Sequence, residues 1–119
     1  MTAYTPAQLE SLNRAIVEHS FGRTITRENG MWMEERTDMG GDKGKYCIDI
    51  PKYTTDLNAI VEVVESYCDN NAECTTLMYE EGNYWSALVG TNIGEANNPP
   101  LALCIAFAQA AGLDWEKAV

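Results

Sequence analysis

The residues from Met39 to Tyr46, MGGDKGKY, bring glycines, an acid and a Gly-Lys pair together, the raw materials of a phosphate-binding loop. Such a loop follows the pattern G-x-x-x-x-G-K-[ST], because its backbone amides wrap the phosphates while the hydroxyl holds magnesium. Here three residues separate Gly40 from Gly44, and Tyr46 stands where the hydroxyl belongs. The residues that follow are strand-like, so no helix N-terminus faces an anion. The spacing therefore predicts a pliant surface turn around Gly40, Gly41 and Gly44. Its charge is more informative than its glycines. Lys43, Lys45 and Lys52 are the last basic residues before a stretch of 64 without any. The loop reads as a positive edge, able to meet an acidic patch on the same molecule or on a neighbouring copy.

Other chemistry-bearing residues are sparse. Asp38 and Asp42 lie near Glu34 and Glu35, but the alternate oxygen ligands of a calcium loop closing on Glu are missing. His19 is the only histidine, beside an apolar stripe, where a partly buried structural role is expected. Asp49, within the strand-like YCIDI, is the one carboxylate that the pattern encloses, and general-acid work requires such enclosure. The four cysteines, Cys47, Cys68, Cys74 and Cys104, form no C-x-x-C pair. They predict reduced, mostly buried thiols in a cytoplasmic protein rather than a zinc site or a disulfide framework. No catalytic constellation is legible, so we expect neither an enzyme nor a cofactor. The aromatics are concentrated in hairpins and tail: Trp32, Tyr79, Tyr84, Trp85 and Trp115. Exposed, such residues anchor protein contacts; enclosed, they are core.

Charge divides the chain. The net charge is −10 over 119 residues, a length suited to a single domain spanning 1–119. Residues 1–52 hold seven basic and eight acidic residues. Residues 53–116 hold ten acids and no Lys or Arg. An acidic half repels phosphate backbones, which argues against nucleic acid and for a basic protein partner. No apolar run approaches the ~20 residues of a membrane span. The start, MTAYTPAQLE, lacks the basic and apolar regions of a signal peptide.

These residues must be positioned by a small set of elements. Thr5, Pro6 and Gln8 form a capping box with proline at the first helical position, Leu9, Leu12 and Ile16 make one stripe, and Gly22 stops the helix. RTITR and MWMEE flank Asn29-Gly30, the strongest two-residue hairpin signal, with Arg27 opposite Trp32. A loop over 36–45 then leads to a short strand, YCIDI, which Pro51 ends. A second helix carries Leu57, Ile60, Val61, Val64, Tyr67 and Cys68 on its apolar face. Its other face, Asn58, Glu62, Glu65 and Asp69, is an acidic stripe without a compensating lysine.

A second hairpin is expected from TTLMYE and YWSALVG about Gly82-Asn83, with Glu80 opposite Trp85, Met78 opposite Ala87 and Leu77 opposite Leu88. Apolar residues on both its faces predict that both are covered. TNIGEANNPP reads as a loop into a third helix, LALCIAFAQAAG, apolar nearly all round and so buried on more than one side. Leu113 and Trp115 are expected to fold back onto the core. The order predicts an α+β fold, a three-layer α/β/α sandwich whose sheet is mainly antiparallel, from two hairpins with three helices.

The run YTTDLNAIVEVVE, Tyr53 to Glu65, followed by GEANNPPLALCIAFAQAAG, Gly94 to Gly112, resembles the phage ABA-sandwich domain family. The first helix, LNRAIVEHSFG, is also similar to that family's start. Thr54 stands where the family usually has Ser, and Asn98-Pro99-Pro100 replaces its Thr-x-Pro; both keep the capping chemistry. The glycine-rich segment around Gly40–Gly44 lies outside the match. The resemblance implies a three-layer α/β/α domain of phage or prophage origin and supplies no catalytic residues; with the reduced thiols, the expected location is the host cytoplasm.

Three functions are weighed. The first is a phage accessory protein that binds a host or phage protein, one version being interference with host defence. Its face is Glu62, Glu65 and Asp69, with the hairpin aromatics Trp32 and Trp85. The second is a small-molecule or nucleotide binder, or an enzyme, with its site beside the 36–46 loop and Gly40, Gly41, Lys43 and Lys45. The third is a self-assembling structural subunit, a homo-oligomer joined across the over-apolar third helix.

Overall fold

The computed structural model describes residues 3–115. Helix α1, Pro6–Phe21, starts as its sequence dictates: Gln8 N donates to Thr5 Oγ1 at 3.2 Å and Thr5 N to Gln8 Oε1 at 2.9 Å. Gly22 closes it at φ 62°, in the left-handed region that glycine enters without a Cβ penalty. Strands β1, Thr24–Glu28, and β2, Met31–Thr37, turn through Asn29 and Gly30, both at positive φ. Arg27 faces Trp32, its guanidinium 4.9 Å from the ring centroid, as the register predicts.

Strand β3, Lys43–Cys47, begins earlier than YCIDI suggested. The intervening connection is short because Asp38 organises it: Asp38 Oδ1 accepts from Gly40 N and Asp42 N, both at 2.9 Å. Glycine and lysine positions expected in a loop are thereby drawn into the sheet, Gly44 opposite Arg36 and Lys45 opposite Glu35. Helix α2, Leu57–Asn71, is capped by Asp56, which accepts from Ala59 N at 3.2 Å. It buries Ile60, Val63, Val64 and Cys68, while Leu57 faces solvent.

The second hairpin differs from expectation by one residue. Strands β4, Thr75–Glu80, and β5, Tyr84–Val89, pair Glu80 with Tyr84, Tyr79 with Trp85, Met78 with Ser86 and Leu77 with Ala87. The reason lies in the turn, where Gly82 at φ 97° and Asn83 at φ 64° follow Glu81 in a three-residue loop. Tyr79 Oη donates to Asn83 Oδ1 at 2.9 Å and holds it. The slip changes which residues share a face. Strand β6, Asn92–Ala96, occupies what reads as loop in the sequence, and pairs antiparallel with β5 across Gly90 and Thr91. Helix α3, Pro99–Ala111, follows, capped by Asn98, which accepts from Leu101 N at 2.9 Å.

The fold is α+β, with three helices and two separate three-stranded antiparallel sheets ordered β1-β2-β3 and β4-β5-β6. Each hairpin recruits its own third strand. Helix α3 forms the centre: Pro100 to Ala108 is buried throughout, packed against β5 and β6 and against α1 and α2. Gly94 on β6 explains the alanines of α3. A Cβ there would drive into the carbonyl of Ala102 and the amide of Ala106, so strand and helix backbones nearly touch. Trp115 is buried and its ring sits 5.1 Å from that of Tyr4, so the tail folds back as expected.

The first sheet projects from this body. The radius of gyration is 15.2 Å and the extents are 54 × 32 × 22 Å, against about 13–14 Å for the radius of a compact chain of this length. The sheet is fastened by buried Ile25 and by the ion pair of Arg27 with Glu10 of α1. A second tie runs inside: Asn13 of α1, itself buried, accepts from Thr54 N at 3.0 Å and fixes the approach to α2.

Candidate functional site

Both α1 and α2 rest on α3, and between them lies an open cleft of about 870 Å³. Its floor is aromatic. Phe107 of α3 meets the ring of His19 edge-on at 5.9 Å and that of Tyr67 edge-on at 5.4 Å. Tyr67 Oη donates to the Ala110 carbonyl at 3.1 Å, which pins α2 to α3. Tyr53 and Val63 complete the inner wall, and exposed Phe21 stands at the rim. Burial pushes the phenols of Tyr53 and Tyr67 above their usual value, so both remain protonated at neutral pH.

The polar rim comes from α2 and from the end of α1. Glu62, Ser66 and Asn70 line it on one side, His19, Ser20 and Arg23 on the other. Glu62, Glu65 and Asp69 are all exposed, as the helical period predicts. Among the described residues none of the three forms an ion pair. Arg23 is engaged elsewhere: it forks onto Glu34, with Nη2 to Oε1 at 3.0 Å, and Arg36 Nε reaches the same Oε1 at 2.6 Å. This cluster ties the first sheet to the cleft mouth.

Glu34 is the enclosed carboxylate that the sequence placed at Asp49. Asp49 is exposed, whereas Glu34 is 5% exposed. The hydrogen bond from Arg23 dominates and, with Arg36, holds its pKa down from the ordinary 4.5 to about 2. Arg23 is correspondingly raised, chiefly by the same bond. A carboxylate held so firmly ionised is a poor proton donor near neutrality, and its role is structural. The signal for it was present: Glu34 lies opposite buried Ile25 across the first hairpin, with Arg36 two residues on along the same face.

The remaining predicted residues fall apart in space. Trp32 is half-buried under Arg27 on the first sheet. Trp85 is half-buried on β5, its ring 5.1 Å from that of Tyr79. Neither tryptophan borders the cleft. The lysines at the MGGDKGKY turn are paired, Lys45 with Glu28 at 2.5 Å and Lys43 with Glu35 at 3.8 Å, so they are no free positive edge. The amides of Gly40 and Asp42 are occupied by Asp38. The turn carries its own anion, which leaves a phosphate without its amide cradle.

His19 is exposed rather than partly buried, and no hydrogen bond joins it to Ser20 or Ser66 among the described residues. Cys47 and Cys74 are exposed, against the expectation of mostly buried thiols, while Cys68 and Cys104 are enclosed and all four are free. Burial pushes the Cys68 and Cys104 thiols up and away from reactivity. Among the described residues no three His, Cys, Asp or Glu side chains converge to hold a metal, and no helix is long and apolar enough to cross a membrane. Comparison with known proteins adds no assignment to this geometry: no family model, no curated protein and no solved structure matches the chain.

Proposed function

We propose that this is a small phage accessory protein that works in the host cytoplasm by binding another protein, host or phage, through the acidic side of α2 and the cleft beside it. A basic component of host defence is the concrete case. The observation that carries this reading is the contrast at the cleft. An aromatic floor lies beside a helix whose exposed acids, Glu62 at the cleft rim and Glu65 and Asp69 outside it, have no base to meet within the described chain. Uncompensated charge beside concave apolar surface favours a partner of opposite charge and speeds its encounter. The residues implied by the phage resemblance, Thr54 and Asp56 before α2 and Asn98 before α3, act as caps and ties and contribute no chemistry of their own.

The test is capture from host lysate by the immobilised protein at low and high salt, alongside the charge-reversed variant Glu62→Lys, Glu65→Lys, Asp69→Lys. A partner held through this face is retained at low salt and lost in both other conditions. Partners indifferent to salt and to the reversal would sink the proposal.

A further inference from the structure

The corrected register of the second hairpin sorts the sheet β4-β5-β6 into two unlike faces. Ala87, Val89 and Ala96 point at α3 and are buried. Their alternates point away, where no described element covers them. Met78 is 52% exposed and Ile93 54%, and Leu88 lies directly opposite Ile93, giving an apolar centre of three side chains. Glu80 pairs with Tyr84, and Glu95 with Ser86, so carboxylates flank that centre beside a tyrosine. The expectation that both faces are covered from within the chain is not met.

We infer that this open face docks an extended segment of another protein that carries apolar and basic residues on one side, two positions apart, the apolar side chains on Met78, Leu88 and Ile93 and the bases on Glu80 and Glu95. Charge decides the occupant. A second copy would set these carboxylates against their own images, and residues 53–116 offer no base to separate them. The arginines and lysines of the first half, Lys52 apart, are already in ion pairs. An extended segment with bases and apolar residues at every second position meets both needs at once, because residues i, i+2 and i+4 of a strand share one face. None of Met78, Glu80, Leu88, Ile93 and Glu95 lines the α1–α2 cleft, so the site does not depend on the reading of that cleft.

The experiment follows methyl signals of Met, Ile and Leu in the full chain during titration with three designed peptides that carry Ser at every second position and, between, Lys and Val by turns (Lys-Val), Lys and Ser by turns (Lys-Ser), or Glu and Val by turns (Glu-Val). The expected result is shifts at Met78, Leu88 and Ile93 with the Lys-Val peptide, and binding at least about ten-fold weaker for the other two. Ile93→Lys should abolish the shifts with the rest of the spectrum unchanged. Glu80→Lys with Glu95→Lys should reverse the preference toward the Glu-Val peptide, a readout that misfolding does not mimic. Equal binding of the Lys-Ser peptide, shifts confined to the cleft, or a dimer in sedimentation that Ile93→Lys dissolves would each overturn the inference.

Discussion

Sheet β1-β2-β3 carries its charges in pairs: Glu28 with Lys45, Glu35 with Lys43, and Glu34 between Arg23 and Arg36. Sheet β4-β5-β6 has the same number of strands and the same antiparallel order, yet Glu80 and Glu95 stand on it with no base. The packing contrast runs the other way. The first sheet projects and holds little of the core, whereas the second lies so close on α3 that Gly94 has no room for a methyl group. One sheet is edged by ion pairs and touches the core through a few side chains such as Ile25 and Trp32, the other is closely packed, and it is the well-packed one that leaves its charge without a base. The difference teaches where partners are to be sought: surface charge satisfied internally is scaffold, and surface charge left over beside apolar area is available for recognition.

The sharpest way to break this comparison is a methyl group on each sheet. Gly94→Ala forces β6 off α3 and should destabilise the fold by about 2–4 kcal/mol, near the upper end for overpacking. Gly44→Ala on β3 meets only the Tyr46 ring, at 3.4 Å, and should cost less than about 1 kcal/mol. Urea midpoints of the two variants measure the contrast; similar values would erase it.

Next in size is Glu34→Gln, which removes the charge that two arginines share. A lower melting temperature is expected, together with a change in acid sensitivity whose sign is fixed. The folded pKa of Glu34 is about 2 against an ordinary 4.5, so its stabilisation is fully present above the ordinary value. It is lost as pH falls from there towards 2. The stability difference between wild type and Glu34→Gln should therefore shrink across that window; a constant difference would show that the arginines do not hold the charge.

The smallest effect is expected on α2. Glu65→Lys places a base four residues before Asp69 and three after Glu62. Such pairs add about 0.2–0.5 kcal/mol each, so thermal melts should show a slight stabilisation that added salt reduces. The same change should weaken partner capture. A variant that is firmer but binds less would sharpen the distinction between scaffold and recognition surface; a destabilised one would remove it.

Much of this was legible in the sequence where the signal is local. The capping box at Thr5, the Asn29-Gly30 turn and the period of α2 each depend on a few neighbouring residues, and each is seen. Readings failed where a side chain some distance off decides. Asp38 reaches forward to two amides and turns an apparent loop into a tight connection. Asn83, held by Tyr79, lengthens the second hairpin's turn by one residue and shifts its register. Strand β6 was hidden because its inward positions are Gly94 and Ala96, too small to show the usual apolar alternation. Glu34 sits opposite Ile25 in the hairpin register, a partial signal, but the contact that keeps its buried carboxylate ionised comes from Arg23, eleven residues away. For the cleft, the acidic side of α2 was predicted, but its aromatic floor joins residues as far apart as His19 and Phe107.

The close seat of β6 on α3 also bears on the order of events as the chain folds. Strands β4, β5 and β6 and helix α3 are consecutive, from Thr75 to Ala111, joined by short connections. Their contacts close small loops, which form early and rapidly because little chain entropy is lost. Helix α1 must instead find α3 across most of the sequence. The C-terminal unit is thus the natural nucleus, on which α2 and then α1 with its projecting sheet dock. Amide exchange should be slowest in β5 and α3 and fastest in β1–β3, so the part of the molecule that docks last is also the first to open.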